Sequence, residues 1–146
     1  MECTVQWAGP DTMTFWTTTG SGHTLAMDGA PEAGGHNRAP RPMEMMLAGA
    51  GGCSSFDVVL ILQRGRHDVT GCTVKITSER ATTEPKVFTK INMHFTVTGR
   101  NIPLRVVERA VKLSYDKYCS ATAMLGKTAE LSWSAEVIDE STVPAE

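Results

Sequence analysis

No two of the four cysteines, at positions 3, 53, 72 and 119, lie close together in the chain. That spacing excludes both the clustered pattern of a small disulfide scaffold and the two-by-two ligand pairs of a structural zinc site. The histidines His23, His36, His67 and His94 are equally dispersed, so neither a metal nor another cofactor is expected. An excess of positive charge is also lacking: the formal net charge is -2, with Lys and Arg scattered. The cationic footprint that a phosphate backbone requires is therefore missing, and nucleic acid is not an expected partner. The opening Met1-Glu2-Cys3-Thr4-Val5-Gln6-Trp7 has neither the cationic region nor the apolar run of a secretory signal, which leads to the expectation of a cytoplasmic protein with free thiols. Nor is there an unbroken apolar run of the roughly 18 residues a membrane span needs. The nearest approach, 43–62, is interrupted by Glu44 and Asp57 and carries Gly49, Gly51 and Gly52. It reads as a buried helix, with no membrane as partner.

What the chain does contain is patterned as one α+β domain spanning 1–146, a length that supports a single sizeable core. Over 1–28, Cys3, Val5 and Trp7 alternate with polar neighbours, and two further β-rich runs follow, punctuated by Gly9-Pro10 and Gly20-Ser21-Gly22. This predicts a three-strand meander. Residues 29–41 are dominated by glycine, proline and alanine and predict a loop able to cover a site. The helical and sheet body, 42–140, opens with Pro42 at a helix start. Within it Ser54-Ser55-Phe56-Asp57 fits a capping box just ahead of an apolar run, so the helix either restarts there or continues through its glycines. Because 56–62 is apolar almost all round, burial on every side is expected, in the core or at a dimer seam. Two strands follow, with Cys72, Val74 and Ile76 on one face and then Val87, Ile91, Met93, Phe95 and Val97 on another. Pro103 opens a helix carrying Leu104, Val107 and Val111, a short helix succeeds Cys119, and a last strand holds Leu131, Trp133, Ala135 and Val137. The tail 141–146 is expected to fray. Strands and helices do not strictly alternate, so the sheets should be mainly antiparallel.

Chemistry concentrates on two of the cysteines. Cys53 and Cys119 each sit where a helix is expected to begin, and a helix start stabilises a thiolate through unpaired N–H groups and the macrodipole. A thiol of pKa near 8.5 is only about 3% ionised at pH 7, whereas one near 6 is roughly 90% ionised. Asp57 acts in the opposite sense, since a carboxylate one turn from Cys53 raises its pKa. Cys3 and Cys72, on the apolar faces of strands, read as inert core residues. Arg38, Arg41 and Glu44 precede the central helix and read either as solvated charge or as groups that orient a polar substrate beside the thiolate.

The stretch Pro42-Met43-Glu44-Met45-Met46-Leu47-Ala48-Gly49-Ala50-Gly51-Gly52-Cys53, with the second cysteine in Lys117-Tyr118-Cys119-Ser120, resembles the OsmC/Ohr superfamily, and within it the YhfA-type branch. Supporting stretches at 69–75, 91–100 and 116–125 extend the resemblance over nearly the whole chain. It implies an OsmC-like fold in an intertwined α+β homodimer, with mainly antiparallel sheets around a buried central helix. It also implies thiol-dependent reduction of a small organic hydroperoxide. By position, Cys53 would attack the peroxide and become a sulfenic acid, Cys119 would condense with it to a disulfide, and a dithiol reductant would restore both. Glu44 would share in catalysis, and Arg38 or Arg41 in orienting the substrate. Three positions differ from the hydroperoxidase pattern: Met43 stands where an acid follows the proline, Ser120 where a proline follows the second cysteine, and the strands before residue 28 hold no arginine. Two other functions fit the same residues: a noncatalytic, stress-related dimer holding an apolar ligand, and a cysteine-dependent acyl-transfer enzyme.

Overall fold

The computed structural model describes residues 1–141, so the tail expected to fray lies outside the described residues beyond Ser141. The elements run β1 (Cys3–Trp7), β2 (Thr14–Thr19), β3 (Thr24–Asp28), a 3-10 turn (Pro31–Ala33), α1 (Pro42–Arg64), β4 (Asp68–Arg80), β5 (Phe88–Arg100), α2 (Leu104–Leu113), a π-helical turn (Ser114–Tyr118), α3 (Ser120–Leu125) and β6 (Glu130–Asp139). This is the expected α+β class. The chain divides into two compact units, Met1–Ala48 and the remainder from Gly49.

In the first unit the meander is antiparallel, with Trp7 opposite Phe15 and Phe15 opposite Met27. All of β1 is exposed, and Cys3 with it, in contrast to the buried place expected for that thiol. The loop 29–41 is organised by one carboxylate. Asp28 is 1% exposed and accepts backbone N–H bonds from Gly29 at 2.8 Å, His36 at 3.0 Å and Arg38 at 3.1 Å. Gly35 closes so tightly on Gly29 that a Cβ there would lie 1.7 Å from the Gly29 carbonyl oxygen. The N–H groups of Arg38 and then His36 hold the Asp28 carboxyl below its ordinary pKa. A depressed folded-state pKa makes the clamp complete above the ordinary carboxylate range and lost as pH falls through the lowered value. In Asp28→Ala, hydrogen exchange at the amides of His36 and Arg38 is expected to accelerate by about tenfold or more while β1 to β3 stay protected; unchanged exchange would show that the loop holds itself.

The start of α1 explains two of the charges singled out in the sequence. Pro42 takes the first helical position, and Glu44 Oε1 accepts from the Arg41 backbone N–H at 3.0 Å and from Arg41 Nη1 at 3.2 Å. Glu44 thus reaches back over an otherwise unpaired donor, the acid half of a capping box. The Arg41 N–H, followed by its guanidinium, lowers the Glu44 pKa.

In the second unit α1 continues without a break past Gly49, Gly51 and Gly52, so of the two alternatives the continuous helix is the one formed. Gly51 shows why a poor helix former is tolerated. A Cβ there would meet Ile76 Cδ1 at 2.6 Å and Val74 Cγ1 at 3.3 Å, so the bare Cα lets α1 lie close against β4. The buried face carries Ala50, Gly51, Ser54, Val58 and Leu62, a helical stripe. Burial on every side is not reached in the single chain, where Phe56 is 67% exposed. By length and composition α1 is apolar enough to cross a membrane, with mean hydropathy 1.7 over 18 residues; within the chain one stripe of it is buried, with Gly51 against β4.

The second sheet has the order β4-β5-β6. β4 and β5 are antiparallel, with Cys72 opposite Val97 and Ile76 opposite Met93. β6 pairs with β5 in parallel, Phe95 opposite Ala135. A parallel neighbour requires a crossover, supplied here by α2, the π turn and α3. Ile91, Met93, Phe95 and Val97 are buried as expected. Val87 instead lies outside the strand and is 36% exposed, and Phe88 takes the buried position, next to an irregularity in register at Glu79 and Arg80. α2 buries Val107, Ala110 and Val111 but leaves Leu104, in its first turn, exposed.

Candidate functional site

Three elements of the second unit converge on one point. Cys53, Ser54 and Asp57 come from α1, where positions 53 and 57 are one turn apart and share a face. Ser114 opens the π turn, whose wider winding closes with the Cys119 N–H bonded to the Ser114 carbonyl at 2.8 Å. Cys119 then caps α3. The ligating atoms of Cys53, Asp57 and Cys119 all lie within 4.8 Å of one another, and all four cysteines are free thiols. The sequence expectation that Cys53 and Cys119 share one site is thereby met as far as their proximity goes.

Their environments are unequal. Cys119 is 2% exposed. Its Sγ accepts from Ser54 Oγ at 3.3 Å and from the Thr122 N–H at 3.4 Å. Burial, the strongest influence, pushes this thiol up, yet Ser54, Thr122 and the Cys53 S–H together bring it below its ordinary pKa. Cys53 is half-buried and moves the other way: burial raises it first, the Ala121 N–H opposes that, and Cys119 and Asp57 raise it further. The first proton of the pair therefore leaves Cys119, and Cys53 faces that sulfur as the donor. The sequence assigned helix-start stabilisation to both thiols; the structure places only Cys119 at a helix start, with Cys53 inside α1.

Asp57 is fixed rather than loose, since Ser114 Oγ donates to its Oδ2 at 2.9 Å. Tyr115 follows in the π turn, tilted against Trp133 with centroids 6.4 Å apart. Its phenol is pushed up to about 12 by burial and, secondarily, by Cys119. Cys72, expected to be inert core, is half-buried and borders a groove of about 480 Å³ formed with Gly52, Ser55, Phe56, Val59 and Leu60. Arg41 and Glu44 are brought together as the capping pair, and the Arg38 backbone is committed to Asp28. Sequence reasoning missed Ser54, Ser114 and Thr122 as partners of the site. Only the Cys53-to-Asp57 spacing carried a readable signal, and a π turn leaves none.

Known proteins bear out this architecture. Residues 35–134 match the family described as OsmC-like protein. Protein YhfA of Escherichia coli K12 is 49% identical over 138 residues, covering 94% of this chain and 98% of that protein. Among solved structures, a hypothetical protein from Aquifex aeolicus VF5 superposes with TM-score 0.82 at 28% identity over 95% of this chain and 96% of its own. An organic hydroperoxide resistance protein from Elizabethkingia anophelis superposes with TM-score 0.69 at 14% identity, covering 93% and 94%, a match of fold.

Proposed function

This chain belongs to the OsmC-like family, and from that premise we propose that it reduces organic hydroperoxides with the dithiol Cys53 and Cys119. The observation that carries the reading is the meeting of two sequence-distant sulfurs within 4.8 Å, one of them a hydrogen-bonded thiol held below its ordinary pKa. A protein described as an organic hydroperoxide resistance protein shares the fold, which suits a hydroperoxide as the substrate class. Cys53 is the attacking thiol because it is the more accessible of the two. As its sulfur takes the distal peroxide oxygen, its proton passes to the Cys119 thiolate and onward to the departing alkoxide. The Cys119 thiolate then attacks the Cys53 sulfenic sulfur and expels hydroxide. Two thiols and one hydroperoxide yield a disulfide, an alcohol and water, and a dithiol reductant in a reducing cytoplasm returns the pair.

The working assembly we propose is a homodimer. Only 28% of the most apolar 18-residue window of α1 is buried in the single chain, and Phe56 stands 67% exposed upon it. Leaving such a face in water forgoes roughly 25 cal/mol for each Å² of apolar surface. The groove beside Phe56 favours a second reading, a module that holds an apolar ligand without chemistry. Treatment of the reduced protein with one equivalent of cumene hydroperoxide separates the two. The dithiol mechanism predicts loss of two hydrogens from the intact mass and a linked peptide pair containing Cys53 and Cys119. A protein that keeps both thiols free under those conditions, and releases them intact to a thiol reagent, would leave the ligand module as the surviving explanation.

A further inference from the structure

One member of the site has no favourable part in peroxide chemistry. Asp57 sets a carboxylate beside two sulfurs that must themselves ionise, yet Ser114 holds it in place. A cation reverses that logic. We propose that reduced Cys53, Cys119 and Asp57 form a three-ligand site for a thiophilic d10 divalent cation of the Zn²⁺ and Cd²⁺ class, and that the bound ion shields the dithiol from hydroperoxide.

The donor set suits such an ion. Two thiolates and a carboxylate with a free fourth position are ligands that zinc accepts, at about 2.3 Å to sulfur and about 2.0 Å to oxygen. Bonds of that length hold neighbouring ligand atoms roughly 3.3 to 3.8 Å apart in a tetrahedron. The present limit of 4.8 Å leaves a contraction that side-chain rotation can supply. Soft sulfur favours this class over magnesium or calcium. The outer partners are already in place: Ser114 Oγ fixes Oδ2 of Asp57, while Ser54 Oγ and the Thr122 N–H bond to Cys119 Sγ. Such second contacts orient ligands and commonly govern affinity by about 10- to 100-fold. Cys53, half-buried, leaves a way in. Uptake displaces the remaining thiol protons to solvent, leaves no redox change, and turns both nucleophiles into ligands.

The inference concerns regulation of the site assigned above but rests on the donor geometry, so the two fail separately. Reduced protein is titrated anaerobically with Cd²⁺ while the ultraviolet thiolate-to-cadmium absorption is followed, and peroxide consumption is measured before and after loading. Saturation at one ion per chain is expected, with peroxide consumption suppressed and a chelator restoring it. Asp57→Asn should bind at least about tenfold more weakly, Cys53→Ser and Cys119→Ser should lose the saturable band, and Cys72→Ser should keep it. Wild-type protein that consumes peroxide but shows no saturable band overturns the metal site and leaves the dithiol function standing. A band of equal affinity in Asp57→Asn, or one that survives in Cys53→Ser, overturns it too. A one-to-one site in a protein inert to peroxide would end the peroxidase proposal and the shielding role with it, and retain the metal site.

Discussion

Replacing Cys119 with serine is expected to lower the pH midpoint for alkylation of Cys53 and to stop peroxide oxidation at the Cys53 sulfenic acid. The two effects share one cause. In the native pair the first proton leaves Cys119, and the resulting charge, with the hydrogen bond it accepts, holds the proton on Cys53. A serine hydroxyl does not ionise near neutrality, so both influences on Cys53 fall away, while the Ala121 N–H that favours its thiolate remains. Below the native midpoint Cys53 should therefore alkylate several-fold faster in the variant, because the thiolate is the nucleophile. The disulfide cannot form, and the intact mass should show one added oxygen that a sulfenic-acid reagent captures. In Ser54→Ala the shift belongs to the other sulfur: Cys119 loses a buried donor, so its midpoint should rise. Alkylation of Cys53 and Cys119, followed by peptide mass spectrometry across pH, reads both shifts. An upward movement of Cys53 in Cys119→Ser would contradict the proposed order of ionisation.

That order could not be extracted from the chain, and the reason is physical. Periodicity records which face of an element is apolar, so β4, β5, α2 and β6 were legible with the faces they bury, from Ile91 to Val97 and at Val107 and Val111. Glycine spacing is ambiguous by the same measure. Gly49, Gly51 and Gly52 read equally as a helix break and as glycines tolerated within one continuous helix, and the approach of Ile76 to Gly51 supplies the tertiary reason for the second. Once α1 is continuous, the Ser54-to-Asp57 pattern ceases to be a cap, and its side chains become free for tertiary duty: Ser54 on Cys119 and Asp57 on Ser114. Cys119 was legible as a helix cap because the signal is local. Its pairing with Ser54, 65 positions earlier, depends on the π turn, where one extra residue per turn resets the direction of the chain. The Arg41-to-Glu44 spacing is compatible with solvated charge and with substrate orientation, and in the structure the two side by side cap the start of α1.

The close contact at Gly51 links the stability of the second unit to its chemistry, and Gly51→Leu should damage both. A leucine has no room where even a Cβ would approach Ile76 at 2.6 Å and Val74 at 3.3 Å. Rotation of Ile76 Cδ1 could admit a methyl group, and alanine would regain up to about 1 kcal/mol of helix propensity, so Gly51→Ala should be close to neutral. A branched four-carbon chain must instead lift α1 from β4 or force poor rotamers, and overpacking of this kind costs about 1 to 3 kcal/mol. Against a total of roughly 5 to 15 kcal/mol for a domain, the denaturant midpoint should fall clearly. Cys53 is two residues further along the same helix, and Asp57 one turn beyond that, so a lifted helix carries both away from Cys119, which is held by its own cap on α3. Disulfide yield after one equivalent of hydroperoxide should then drop by about tenfold or more, since a misplacement near 1 Å can cost on the order of 100-fold in rate. Denaturant titration and intact-mass analysis on the same samples test the link. Lost stability with an undiminished yield of disulfide would show that the two sulfurs are positioned by something other than the seating of α1 on the sheet.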